Sequence, residues 1–160
     1  MVVVTISSGL RARIFEQLQQ AYPNEGGGFL LGVQQEDRLT IRDVHPVENV
    51  FAAEEQYHRY AMTPADWMKL EDEADAKGLS LVGYYHSHPD HPPRPSEYDR
   101  QHAWPWYSYL IVAVERGIPC DSRSWVLSED RSVFQLEQLE VANVVTHAQV
   151  SRGGKPTPAQ

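Results

Sequence analysis

The 160-residue sequence has a single cysteine, Cys120, and fewer basic than acidic residues. One cysteine excludes an intrachain disulfide and a zinc site made of several thiolates. Fourteen Lys and Arg residues against 22 Asp and Glu residues give a formal net charge of −8 at pH 7, and the basic residues form no cluster. Nucleic-acid and anionic-membrane partners are therefore disfavoured, because both require clustered cations.

Long apolar runs are also missing from the chain. No stretch reaches the ~20 apolar residues of a membrane-spanning helix, and the opening run MVVVTISSGL is short and lacks the basic start of a signal peptide. We therefore expect a cytoplasmic protein. The length predicts one domain over residues 1–150. The tail SRGGKPTPAQ, residues 151–160, is predicted to be disordered because it has nothing to bury.

Hydrophobic periodicity predicts strands that alternate with helices. Short β-branched or apolar runs predict strands at residues 2–6, 28–33, 39–44, 79–85, 109–114, 124–127 and 133–139. Helices are predicted from about residue 8 to 22, from 63 to 77 and from 96 to 103, the second of which opens with Thr63-Pro64. This order indicates one α/β or α+β domain built around a single sheet.

The segment HSHPDHPPRPSEYDRQH, residues 86–102, contains four of the seven histidines. Side chains two positions apart on a strand face the same way, so His86 and His88 can bind one ion. Two metal motifs can be written from this segment. The first, H-x-H-x-D-H with Asp90 and His91, is typical of dinuclear hydrolases. It is disfavoured because few histidines remain downstream to complete it, and because Pro89 would strain the turn.

The second motif, H-x-H-x7-S-x2-D, uses the same two histidines and adds Ser96 and Asp99. Two imidazoles, one carboxylate and one water make a four-coordinate zinc site with an open catalytic position. Ser96-x-x-Asp99 is also an ordinary helix capping box, and taken alone that interpretation would be favoured. Combined with His86 and His88 at this spacing, the mononuclear metal site is favoured.

A zinc hydrolase that cleaves peptide bonds also needs a base that can pass a proton to the leaving amine. The best candidate is Glu25 in the run NEGGGFLLG, at the start of a predicted strand. The three glycines beside it permit close approach of other backbone. For Glu25 taken alone, a solvated turn residue is an equally good interpretation.

These motifs resemble those of the JAMM (MPN+) metallopeptidase family. The matching parts are EGGGFLLG, residues 25–32, and GYYHSHPDHPPRPSEYD, residues 83–99, with HPVENV and YAMTPADW between them. The resemblance covers about residues 5–140, nearly the whole chain. It implies a curved mixed β-sheet flanked by helices, similar to that of the cytidine deaminases.

The resemblance also implies roles for particular residues. His86, His88 and Asp99 would bind one zinc ion per chain. Glu25 would take the proton from the zinc-bound water and later protonate the leaving amine. Ser96 would donate a hydrogen bond to the developing oxyanion.

The compact connections are similar to those of the small prokaryotic branch of the family, whose members act on ubiquitin-like sulfur-carrier proteins. The resemblance therefore implies hydrolysis of the bond that follows a C-terminal Gly-Gly, either peptide or isopeptide. We expect the carrier tail to dock by adding a strand beside a sheet edge near the metal. The alternative is a non-catalytic MPN-type module that binds such a carrier or another partner. It is disfavoured because Glu25 and every other position of the pattern are filled.

Other aromatic and histidine residues lack such a pattern. The cluster Trp104-Pro105-Trp106-Tyr107 is predicted to pack the helix that carries Asp99 onto the sheet. The histidines without ligand spacing are predicted to be ordinary surface or core residues: His45, His58 and His147.

Overall fold

Strands and helices alternate along the residues that the structure, a computed structural model, describes: 2–47 and 64–143. The strands are β1 (Val3–Ser7), β2 (Gly27–Gln35), β3 (Arg38–Val47), β4 (Ser80–Pro89), β5 (Ser108–Glu115), β6 (Ile118–Leu127) and β7 (Phe134–Ala142). The helices are α1 (Ser8–Ala21), α2 (Pro64–Ala76) and α3 (Glu97–His102). None of these helices is both long and apolar enough to cross a membrane. The predicted tail and the predicted Thr63 cap lie outside the described residues.

The strands form one mixed sheet whose pairing closes into a ring. The order is β1-β3-β2-β4-β5-β6-β7, and β1 pairs with both β3 and β7. The β1–β3, β1–β7 and β4–β5 pairs are parallel, whereas the others are antiparallel. The predicted single curved mixed sheet is confirmed. The closure through β1 is a feature that local periodicity cannot show, because it depends on residues more than 130 positions apart.

Two apolar clusters bury the two faces of the sheet. On one face, Ile14 and Leu18 of α1, both 0% exposed, pack with residues such as Leu30. On the other face, Leu70 of α2 packs with residues such as Phe29. Leu30 and Phe29, which are neighbours in β2, thus lie on opposite faces of the sheet, as the period of two in a strand requires. The helices therefore lie against the sheet where their predicted apolar stripes place them.

Strand bounds differ most from prediction at β6, which begins at Ile118 although the sequence predicts a strand only from residue 124. Its first half, IPCDS, is largely exposed and has a proline and an aspartate, which are rare in strands. The backbone nevertheless pairs with β5, for example between Asp121 and Ala113. The backbone of this half pairs although its sequence lacks the apolar alternation from which a strand is predicted.

Candidate metal centre

Strand β4 places His86 and His88 on the same face of the sheet. Only 1% of His86 is exposed, and it stands between Gly27 of β2 and Ile111 of β5. The strand ends at Pro89, as expected for a residue that has no N–H to donate to the ladder. Ser87 points the opposite way, and its Oγ accepts a hydrogen bond of 2.9 Å from the Gly26 amide.

The Pro-rich loop after β4 turns the chain back, so that α3 begins beside His86 and His88. Asp99 lies in the first turn of α3 and is 7% exposed. The loop is attached to the sheet by the indole of Trp125, whose Nε1 donates to the Pro93 carbonyl at 3.0 Å. The Asp99 carboxylate therefore meets two histidines that are more than ten positions away in the chain.

The capping box formed by Ser96 and Asp99 is present, and Asp99 lies beside the two histidines at the same time. Ser96 Oγ accepts the Asp99 amide at 3.1 Å, and Asp99 Oδ2 accepts the Ser96 amide at 2.9 Å. The two sequence interpretations of this pair are thus not alternatives. The cap begins the helix and also orients the carboxylate towards the histidines.

Three donor atoms form a nearly equilateral triangle. His86 Nε2 and His88 Nε2 are 3.3 Å apart, and Asp99 Oδ2 is 3.5 Å from the first and 3.4 Å from the second. Zinc bonds of ~2.0–2.1 Å in a tetrahedron separate neighbouring ligand atoms by about 3.3–3.4 Å. The triangle therefore fits one zinc ion with the fourth position open. Among the described residues, this is the group of His, Cys, Asp or Glu side chains able to hold a metal ion.

The His88 ring is oriented for ligation by its other nitrogen. His88 Nδ1 lies 2.9 Å from the Pro92 carbonyl oxygen, which can only accept a hydrogen bond. Nδ1 therefore carries a proton, and Nε2 is the nitrogen that faces the triangle and can bind a metal ion once it is deprotonated. Metal-binding histidines are commonly fixed in this way by a second hydrogen bond.

The electrostatics of the site favour a cation. Burial raises the pKa of the Asp99 carboxyl, but attraction to His86 and hydrogen bonds with both histidines outweigh burial and hold it far below its usual range. Burial lowers the pKa of His88, yet the hydrogen bonds to Asp99 and Pro92 and the attraction of Asp99 and Glu25 raise it overall. A field that retains a proton on an imidazole also attracts a divalent ion, so metal binding displaces protons.

Glu25 and Ser96 reach the same cleft as His88. The cleft, of about 660 Å³, is lined by Glu25, His88, Pro89, His91, Pro92, Arg94, Pro95, Ser96 and Tyr98. The Oε1 atom of Glu25 is buried, although the side chain as a whole is partly exposed. The structure thus brings an acid and a hydroxyl into the cleft that is also lined by His88, one of the three residues of the triangle.

The glycines after Glu25 allow this approach. A Cβ atom at Gly27 would lie 2.6 Å from the Tyr85 carbonyl oxygen, and one at Gly28 would lie 2.5 Å from the His45 carbonyl oxygen. Both distances are far inside van der Waals contact, so β2 can run this close to β3 and β4 only without side chains at these positions. The close approach predicted for the glycine run is present.

The remaining candidates of the histidine-rich segment lie outside the metal group. Asp90 accepts hydrogen bonds from Tyr22 Oη and from the Arg116 amide, both at 2.7 Å, so its two oxygens are engaged elsewhere. His102 stacks on Tyr98 at the end of α3, with ring centroids 3.9 Å apart. The structure therefore opposes the dinuclear interpretation.

The predicted packing role of the aromatic cluster is wrong for its two tryptophans. Trp104 is 48% and Trp106 is 65% exposed, and they stack on each other with ring centroids 5.2 Å apart. Tyr107 does pack inward, edge-on against Tyr84 at 5.3 Å. The short connection between α3 and β5 turns the two indoles outward, which residue type alone does not reveal.

The closed mixed sheet with a His-His-Asp group at the end of a strand defines an α+β domain with a candidate metal site. Residues 7–128 match the family described as Prok-JAB, prokaryotic homologs of the JAB domain. The chain belongs to this family, which confirms the resemblance drawn from its motifs.

Two curated proteins are similar in sequence to this chain. A desampylase from Haloferax volcanii is 40% identical over 92 residues, which are 57% of this chain and 63% of that protein. The chain thus matches less than two thirds of that relative's length. A probable TtuB-protein conjugate cleaving protease from Thermus thermophilus is 28% identical over 133 residues, 82% of this chain and 81% of that protein.

Solved structures show the same fold. A protein from Desulfitobacterium hafniense is 26% identical with a TM-score of 0.71, covering 90% of this chain and 96% of that one. AF2198, a JAB1/MPN domain protein from Archaeoglobus fulgidus, is 20% identical with a TM-score of 0.52, covering 89% and 100%. The predicted JAMM/MPN architecture is therefore confirmed.

Proposed function

We propose that this protein is a zinc-dependent peptidase or isopeptidase that hydrolyses the bond after the C-terminal Gly-Gly of a ubiquitin-like or sulfur-carrier protein. The observation that carries the proposal is the triangle of His86, His88 and Asp99, whose edges of 3.3–3.5 Å suit one zinc ion per chain. His88 lines a cleft that Glu25 and Ser96 line as well, which supports a catalytic role for both. A purely structural zinc site would be closed by a fourth protein ligand.

His86, His88 and Asp99 would hold the zinc ion, which would supply a water molecule of lowered pKa, towards ~7, and would polarise a carbonyl oxygen. Glu25 takes a proton from the attacking water and later delivers it to the leaving amine, so that one carboxylate serves as base and then as acid. Ser96 Oγ already accepts the Asp99 amide, which leaves its hydroxyl hydrogen to donate to the oxyanion.

The names of the two relatives support a conjugate of a ubiquitin-like protein as the substrate. Strand β4 is paired on both sides over residues 83–86, with β2 and with β5. The β2–β4 pairing ends at His86, so strand addition by the carrier tail would have to occur beyond that residue, beside His88. A Gly-Gly segment suits this place because it has no side chains that could collide with the cleft walls.

Three further features of the proposal rest on the sequence. The net charge of −8 disfavours nucleic-acid and membrane partners, and the single cysteine agrees with a reducing cytoplasm. The domain boundary at residue 150 stays a prediction, because residues 144–160 lie outside the described part of the chain.

The test combines metal analysis with cleavage. The protein is purified, its zinc content is measured, and it is incubated with a Gly-Gly-ending carrier joined either to a lysine of a test protein or to a C-terminal peptide. Wild type should contain about one zinc per chain and cleave one of the two bonds. Glu25→Gln should retain zinc and lose activity by a factor of ~100 or more. Glu16→Gln, at an exposed position of α1, is the matched control.

The competing function, a non-catalytic module, makes a different prediction. It requires that neither bond is cleaved while the carrier still binds and zinc remains at one per chain. Equal cleavage by wild type and Glu25→Gln would contradict the assigned mechanism.

A further inference from the structure

The segment that carries Glu25 is attached at one end to β4, the strand with the two histidines, and at the other end to Asp90, the residue that follows β4. It comprises residues 22–26, between α1 and β2, and belongs to neither helix nor strand. At its start, Tyr22 Oη donates to Asp90 Oδ2 at 2.7 Å. At its end, Gly26 and Ser87 exchange two hydrogen bonds, of 2.9 Å from the Gly26 amide and 3.0 Å from the Ser87 amide. The position of Glu25 relative to His86 and His88 thus depends on these contacts.

Asp90 joins three separate parts of the chain. It follows β4 directly, its Oδ2 accepts from Tyr22, and its Oδ1 accepts the Arg116 amide in the β5–β6 turn at 2.7 Å. Its own amide donates to the Val114 carbonyl at 2.8 Å. Its φ of 58° lies in the left-handed region, which Gly, Asn and Asp tolerate best. The two carboxylate oxygens and the backbone amide of Asp90 thus hold the residue in one orientation.

We propose that Asp90 and Tyr22 are positioning residues for Glu25, and this inference rests on the proposed function. Neither touches the metal group, and their carboxylate–hydroxyl contact acts on the reaction only through the segment that bears the acid. A displacement of ~1 Å in a catalytic group can lower a rate by about 100-fold. Loss of one of the two attachments should therefore lower turnover without changing the binding of zinc.

The main variant is Tyr22→Phe, which removes one hydroxyl and keeps the ring that packs on the core. Tyr107→Phe is the matched control, because Tyr107 packs in the other cluster. Asp90→Gly keeps the backbone conformation and loses the carboxylate. Asp90→Asn is the conservative variant, since an amide oxygen can accept from Arg116 while its nitrogen donates to Tyr22 Oη.

Four readouts are expected to agree. The kcat of Tyr22→Phe and Asp90→Gly should fall about 10-fold with KM within twofold of wild type. Zinc content should not change. Amide exchange over residues 22–26 should be faster in both variants, measured on the zinc-loaded protein. Asp90→Asn and Tyr107→Phe should resemble wild type, and Tyr22→Phe should have no further effect on turnover in the Glu25→Gln background.

Two outcomes would overturn the inference. The first is amide exchange over residues 22–26 that is unchanged in Tyr22→Phe and Asp90→Gly. The second is a loss of turnover of the same size with and without the Glu25 carboxylate, which would show that the effect does not pass through this acid. If wild type cleaves no carrier, the proposed function fails, and the exchange comparison alone then decides whether the attachment holds the segment.

Discussion

Replacement of Gly27 by Ala tests whether the close approach of β2 to β4 sets the geometry of the site. The new Cβ atom would lie 2.6 Å from the Tyr85 carbonyl oxygen and 3.3 Å from His86 Cβ, whereas ordinary contact begins at 3.4 Å. The strands must therefore separate locally by about 0.8 Å, and overpacking of this kind costs about 1–3 kcal/mol. At about 2–4 °C per kcal/mol for a domain of this size, the unfolding temperature should fall by ~2–12 °C.

The same displacement acts on catalysis, because Gly27 is two residues from Glu25 and pairs with His86. We expect kcat to fall by about 10- to 100-fold. The assay is thermal unfolding followed by circular dichroism, together with steady-state cleavage of the carrier conjugate. Gly9→Ala is the control: Gly9 lies in α1, an added Cβ would contact Ser7 Oγ at an ordinary 4.0 Å, and the change should raise stability by up to about 1 kcal/mol. A Gly27→Ala protein that unfolds and turns over like wild type would refute the reasoning.

Three further predictions concern single side chains. Zinc at 100 times its dissociation constant should stabilise wild type by about 2.7 kcal/mol in thermal unfolding, and Asp99→Asn should lose most of this gain while His102→Gln keeps it. Ser96→Ala should lower kcat by about 100-fold or more and cost about 1 kcal/mol of stability through the lost cap, as steady-state kinetics and urea unfolding would show. Glu137 is 6% exposed and accepts hydrogen bonds from two serines, and burial raises its pKa above the ordinary 4.5 despite those bonds. The folded protein therefore favours the protonated form, so stability should fall as pH rises from 4.5 through the raised pKa, and Glu137→Gln should remove that fall in urea titrations at several pH values.

Features that depend on neighbours in the chain could be predicted well from the sequence. The period of two in a strand places His86 and His88 on one face, and a helix start three residues before Asp99 places Ser96 beside it. Both patterns are local, so they are independent of the rest of the fold. The same holds for α1 and α2, whose apolar spacing the structure confirms.

Features that depend on distant pairing could not be predicted in this way. The sequence could not show that Glu25 lines the same cleft as His88, because this depends on the pairing of β2 with β4. Asp90 has a motif position typical of a metal ligand, but the β5–β6 turn and Tyr22 engage both of its oxygens. Glu137 stands in the polar run EQLE, and only the pairing of β7 with β6 places it inside the protein.

The sequence by itself determined the family and the group of residues that could bind a metal ion, because these depend on donor type and short spacing. The tertiary structure decided the rest. It closed the sheet through β1, turned Trp104 and Trp106 outward, and brought His86, His88 and Asp99 together apart from the other histidines of the segment. The physical reason is that a metal site needs three donor atoms within about 3.5 Å of one another, and only strand pairing with loop closure brings such atoms together from distant parts of the chain.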